Sequence, residues 1–187
     1  DHPVFPKLHQ YSSLPHFDLS SLNIAGDIEI SNNYQLLNLG LDSLVEADEL
    51  KLYNNSALTD MSGLGSLEGG TNFWFEIYNN SELMTLDGLH SLNETYIFKV
   101  YNNANLVSLD GLPTYSQLGY TEIHDNDQLV SLFDSSNLSP ASVCSSNIIC
   151  SVNVYDNMAL CQDLVDSLYA MLNAPSGTIT ANDGVCN

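Results

Sequence analysis

The chain has 187 residues, 44% of them hydrophobic, which suits one domain with a continuous core and argues against disorder. Its 23 acidic residues face three lysines (Lys7, Lys51 and Lys99) and no arginine, a formal charge of −20 that repels nucleic acid and anionic membranes. No run of about 18 apolar residues occurs, so no membrane span is expected.

The sequence opens at Asp1-His2-Pro3 with neither Met nor an apolar targeting stretch, the start expected of a secreted chain whose signal peptide has been removed. Residues 1–21 do not repeat. They hold Pro3, Pro6 and Pro15, with Val4, Phe5, Leu8, Tyr11, Leu14 and Phe17 as apolar contacts, and read as an N-terminal cap over the open end of a repeat array.

Repetition begins at residue 22 and stays regular to residue 132. Asn33, Asn55, Asn80, Asn103, Asn126, Asn157 and Asn182 each close a short apolar-polar-apolar run such as Ile28-Glu29-Ile30 or Leu50-Lys51-Leu52. Their spacings are 22, 25, 23, 23, 31 and 25 residues, a period that marks a solenoid. Three residues after the Asn comes Leu36, Leu58, Leu83, Leu106 or Leu129; three further on, Leu39, Met61, Leu86, Leu109 or Leu132. These are the expected core rows. Gly-Leu pairs at 40–41, 63–64, 88–89 and 111–112 mark tight corners that call for positive φ.

Residues 133–151 interrupt the period with Ser, Asn and Pro and bring two of the four cysteines. Four cysteines allow three pairings. The favoured one joins Cys144 to Cys150 across the insertion and Cys161 to Cys186 at the chain end, in keeping with an extracellular, oxidising setting. In residues 152–187, Leu160, Leu164, Leu168 and Leu172 with Val165 predict an amphipathic capping helix ending near Pro175, followed by a terminal strand at Thr178-Ile179-Thr180. The whole of residues 1–187 is expected to form one domain.

Side chains alternate across a sheet, so the residue between the two apolar ones points outward. That row reads Glu29, Lys51, Glu76, Lys99, Glu122, Asn153, Thr178. Acid and base alternate, which removes like-charge repulsion and fixes strand order, a structural use. The outward row after it reads Ser31, Tyr53, Tyr78, Tyr101, His124, Tyr155, Thr180; the row before it reads Asp27, Glu49, Trp74, Ile97, Tyr120, Ser151. Together they place Tyr53, Trp74, Tyr78, Ile97, Tyr101, Tyr120, His124 and Tyr155 on one face. Two uses are open: mutual support of the sheet, or a face for ligand binding or self-association. The Asn row is read as structural, each amide bonding turn backbone of its own and the adjacent coil.

Ile30-Ser31-Asn32-Asn33 with Leu36 and Leu39, then Tyr53-Asn54-Asn55, Tyr78-Asn79-Asn80 and Tyr101-Asn102-Asn103 with their Leu-rich tails, form a recognisable pattern. It resembles the receptor L-domain branch of the leucine-rich-repeat-like proteins, over about residues 22–182. The resemblance implies a right-handed parallel β-solenoid of about seven short coils. It is specific for fold and poor for function, since the family serves ligand binding, adhesion and wall architecture alike. Cysteine-rich receptor modules are absent, so no receptor role is carried over, and no catalytic residues come with the family.

Other signals are weaker. Asn54, Asn79, Asn93 and Asn137 begin glycosylation sequons; Asn93 and Asn137 lie in predicted loops and are the better acceptors. Asp125-Asn126-Asp127 and Asn182-Asp183-Gly184 read as turns, because the remaining ligands of a calcium loop are missing. No metal or cofactor site is predicted, and no nucleophile elbow or phosphate loop is present. The expected function is therefore a secreted, non-enzymatic recognition or adhesion module that binds a carbohydrate or peptide on its sheet face. The alternative is a structural subunit of an extracellular filament, coat or wall, assembling with further copies through that face or its ends.

Overall fold

The computed structural model describes residues 8–9, 14–70, 72–113, 117–132, 151–163 and 166. Seven strands follow one another in chain order: β1 (Leu8–His9), β2 (Asp27–Ser31), β3 (Glu49–Tyr53), β4 (Trp74–Tyr78), β5 (Glu94–Tyr101), β6 (Gln117–His124) and β7 (Ser151–Tyr155). They form one sheet in the order β1 to β7, and every neighbouring pair is parallel. Parallel pairing of consecutive strands requires the chain to cross back each time, and here it does so by winding: the protein is a β-solenoid of about four turns with almost no helix. Leu8–His9, inside the segment read as an N-terminal cap, supplies a strand beside β2.

Alternation builds the strands. β3, β4 and β7 each show buried residues at their second and fourth positions and half-buried ones between. The buried residues stack coil upon coil: Ile28, Leu50, Phe75, Phe98, Thr121 and Val152 in one row, Ile30, Leu52, Ile77, Val100, Ile123 and Val154 in the next. Opposite them lie the two leucine rows expected from the repeat, all buried, so a single core runs the length of the coil. Thr121 is the odd member of its row, its hydroxyl buried with no hydrogen-bond partner among the described residues.

Two residue types turn the corners. Asn32, Asn54, Asn79, Asn102, Asp125 and Asp156 leave the sheet with φ between 53° and 59°, the left-handed region that Asn and Asp tolerate best among residues with a Cβ. The Gly-Leu corners have positive φ as the sequence predicts. At Gly88 a Cβ would stand 2.2 Å from the Met61 carbonyl oxygen of the preceding coil, so no larger residue fits without moving backbone. Just before these corners, Asn38, Asp60, Thr85 and Ser108 each accept a bond from the backbone N–H two residues on, at 2.7, 2.8, 3.3 and 3.1 Å. Short polar side chains thus cap each turn.

Leu160 is buried, and Gln162, Asp163 and Asp166 are helical. The remainder of the expected capping helix lies outside the described residues. So do the strand at 178–180, the Cys144–Cys150 pair, Cys186 as expected partner of Cys161, Asn137 and Asn182.

Candidate functional site

The strand register fixes three outward rows. Pairing of Glu29 with Lys51, Lys51 with Glu76, Glu76 with Lys99, Lys99 with Glu122 and Glu122 with Asn153 puts the charge row in line. The same register aligns Asp27, Glu49, Trp74, Ile97, Tyr120 and Ser151 on one side of it. On the other side it aligns Ser31, Tyr53, Tyr78, Tyr101, His124 and Tyr155. Ser31 departs from its row: β1 pairs against it, and it is fully buried.

Five rings of the last row form one continuous stack. Centroids of Tyr53, Tyr78, Tyr101, His124 and Tyr155 are 4.6, 4.8, 4.8 and 4.6 Å apart in turn, with planes tilted by 4–7°. Those distances match the strand spacing, so the stack follows from placing a planar side chain at the same position of each coil. Its consequence is chemical. The inner rings have both π-faces covered by neighbours, and solvent meets their edges.

The hydroxyls are tied to the charge row. Tyr53 donates to the Glu29 carboxylate, Tyr101 to Glu76 at 2.9 Å, and Tyr155 to Glu122 at 2.8 Å, each reaching one strand back. Tyr78 and His124 have a lysine one strand back. Tyr78 accordingly has no such acceptor, and His124 turns its Nδ1 to Asp125 at 2.7 Å. The lysines reach one strand forward on the other side. Lys51 Nζ lies 5.0 Å from the centre of the Trp74 ring, and Lys99 Nζ lies 5.4 Å from that of Tyr120. Lys51 pairs with Glu49 of its own strand at 2.7 Å, and Lys99 with Glu122 at 2.8 Å. Alternation in the charge row therefore imposes a two-strand period on both aromatic rows.

Electrostatics follow the geometry. Burial pushes the Tyr78 hydroxyl up to about 12, with the charges of Tyr53, Glu76 and Glu29 adding to it. Burial and then the bond to a carboxylate raise Tyr101 and Tyr155 as well. Burial alone would lift the Glu122 carboxyl, but the bonds from Lys99 and Tyr155 and the charges of Lys99 and His124 hold it below the usual range. Lys99 is held above its ordinary value because Glu122 outweighs the cost of burial.

The Asn row lies beneath this face. Asn33, Asn55, Asn80, Asn103, Asn126 and Asn157 are fully buried. Each amide oxygen from Asn55 to Asn157 accepts the backbone N–H of the ladder Asn one coil back, at 3.0–3.2 Å. Their amide nitrogens donate to strand carbonyls, as Asn80 does to Leu52 and Tyr78 at 3.0 and 3.1 Å. A second Asn row sits beside it, unread in the sequence: Asn54 Nδ2 donates to Asn32 Oδ1 at 3.1 Å and Asn102 Nδ2 to Asn79 Oδ1 at 2.6 Å. The Asn-Asn doublets were its signal, since one Asn of each is needed for the ladder and the other for the left-handed turn. The sequon residues Asn54 and Asn79 are engaged in this row, whereas Asn93 is exposed.

The sheet face is not a pocket. One hollow of about 460 Å³ is lined by Pro15, Phe17, Leu37, Asn38 and Asp42 among others, and another of about 270 Å³ by Glu46, Ala47, Gly69 and Phe73 among others. Neither is lined by a residue of the three rows. Among the described residues no helix is long and apolar enough to cross a membrane, and no cluster of His, Cys, Asp and Glu is placed to hold a metal ion. Comparison of the chain with protein families, with curated proteins and with solved structures finds no match.

Proposed function

We propose that the chain is a secreted, non-enzymatic recognition or adhesion module, similar to receptor L domains, that engages an extended ligand along its sheet face. In this reading the coil is right-handed, residues before β2 cap one end and a helix around Leu160–Leu172 caps the other. The observation that carries it is the continuous array of ring edges along the stack, with a carboxylate beside it at every second strand. Such an array offers hydrogen-bonding groups at regular intervals and suits a carbohydrate or peptide chain lying across the strands. Sugar rings would meet tyrosine edges and hydroxyls, because the inner ring faces are already stacked. Trp74 adds a half-buried indole ring to this face.

Screening on oligosaccharide and peptide arrays tests this. The Trp74→Ala/Tyr78→Ala double variant is expected to lose binding by at least about tenfold. Binding that survives both changes moves the site off this face.

A second reading takes the face as an assembly surface for an extracellular filament, coat or wall. The bonds of Tyr53, Tyr101 and Tyr155 to the charge row favour it, since hydroxyls already paired can be covered by another flat sheet without losing their partners.

A further inference from the structure

Four residues after Asn33, Asn55, Asn80, Asn103 and Asn126 stands an outward residue on a different face: Leu37, Thr59, Met84, Val107 and Val130. Leu37, Met84, Val107 and Val130 are 57, 52, 41 and 52% exposed, and Thr59 is exposed too. Backbone bonds lock the last four into a row, Met84 N to Thr59 O at 3.0 Å, Val107 N to Met84 O at 3.0 Å and Val130 N to Val107 O at 2.9 Å, while Leu37 N bonds Pro15 O in the same way at 2.7 Å. A leucine, a methionine and two valines facing solvent at the same register is a stripe rather than scattered exposure.

The stripe also carries few charges. No residue in the row is charged. The positions one and two residues before and one after these five carry charge only at Asp60 and Glu82. By contrast, the three rows of the sheet face hold Asp27, Glu29, Glu49, Glu76 and Glu122 with two lysines. In a chain of charge −20, approach of a second copy is opposed wherever carboxylates meet, and less opposed here than across the five carboxylates of the sheet face.

We propose that this face is the contact between two copies of the chain, packed antiparallel about a two-fold axis through Met84. A straight, evenly spaced row is self-complementary under that operation: Leu37 meets Val130 of the partner, Thr59 meets Val107, and Met84 meets itself. Met at the centre suits a self-contact, because its flexible thioether adapts to the gap it finds. The row spans four strand spacings, roughly 19 Å. With its flanks it covers on the order of 500 Å² per partner, at the low end of specific interfaces, so the dimer is reversible. Both sheet faces stay free in it, which makes this contact independent of the ligand site proposed above.

Sedimentation of the full chain from micromolar to near-millimolar concentration tests the proposal. A monomer–dimer equilibrium is expected, shifting toward dimer as salt screens the net charge. Met84→Asp should raise the dissociation constant at least about tenfold. Met84→Cys should cross-link to itself under mild oxidation far more readily than Val130→Cys, which instead should cross-link to Leu37→Cys in a mixture. A monomer at every concentration overturns the proposal and assigns the stripe to a different occupant. A dimer indifferent to Met84→Asp, or self-cross-linking through Val130→Cys, overturns it equally. The Trp74→Ala/Tyr78→Ala variant separates the two sites, since it should abolish ligand binding while the dimer persists.

Discussion

At the scale of single residues, two positions carry most of the free-energy argument. Thr121 places a hydroxyl in the core row between Phe98 and Val152 and finds it no partner among the described residues. An unpaired buried hydroxyl costs on the order of 1–3 kcal/mol, and Val has nearly the same shape. Thr121→Val is therefore expected to stabilise the protein by about 1 kcal/mol, raising its melting temperature by about 2–4 °C. A lower melting temperature would mean that the hydroxyl has a partner after all. Tyr78 is the other. It stands in the middle of the ring stack without the carboxylate acceptor that Tyr53, Tyr101 and Tyr155 have. Its folded value is raised from 10.0 to about 12, so its neutral form contributes stability below pH 10 that is lost as the pH rises through the folded value. Alkaline titration should thus show tyrosinate from Tyr78 only as the sheet unfolds. Tyrosinate absorbance before that transition should be the same in Tyr78→Phe as in the parent; a smaller signal in the variant would show Tyr78 ionising freely.

At the scale of elements, the strands carry two messages on opposite faces. The inward face was legible in the sequence, because burial selects apolar residues at a period of two and the leucine rows repeat with the Asn. The outward rows were legible as rows, since register follows once the ladder Asn is aligned. Their contacts were not. Nothing in the alternation of Glu and Lys tells that Lys51 turns to Glu49 in its own strand while Lys99 turns to Glu122 across strands. Two residues before Lys51 its strand offers Glu49, whereas two before Lys99 stands Ile97, which has no carboxylate. Nor does a column of tyrosines reveal whether ring faces or edges meet solvent. That depends on ring planes, which stacking sets. The uncharged stripe went unread for another reason: it follows a corner, where no periodicity of two or of 3.6 draws attention to alternate residues.

At the scale of the whole molecule, winding converts sequence repeats into parallel rows with separate duties. The Asn rows hold the turns, the leucine rows fill the core, and two further sets of rows point outward, one charged and aromatic, one uncharged. A solenoid of this kind derives its stability from contacts between adjacent coils, so coils are ordinarily interchangeable units that can be gained or lost one at a time. Here they are not. A lysine on β3 and β5 and a glutamate on β2, β4 and β6 make neighbouring coils unlike, and the hydroxyls of Tyr53, Tyr101 and Tyr155 depend on the coil behind them. Removing residues 74–96, one coil, would set Lys51 beside Lys99 and take Glu76 from Tyr101. Removing residues 49–96, two coils, would set Glu29 beside Lys99 and give Tyr101 a carboxylate again. The longer deletion discards more core, yet its product should melt at the higher temperature; the opposite order would show that the alternation is ornamental. The architecture thus has a parity. It is lengthened or shortened by duplication and loss most readily in pairs of coils, because an odd number sets like charges side by side at the junction and leaves the tyrosine there without its carboxylate.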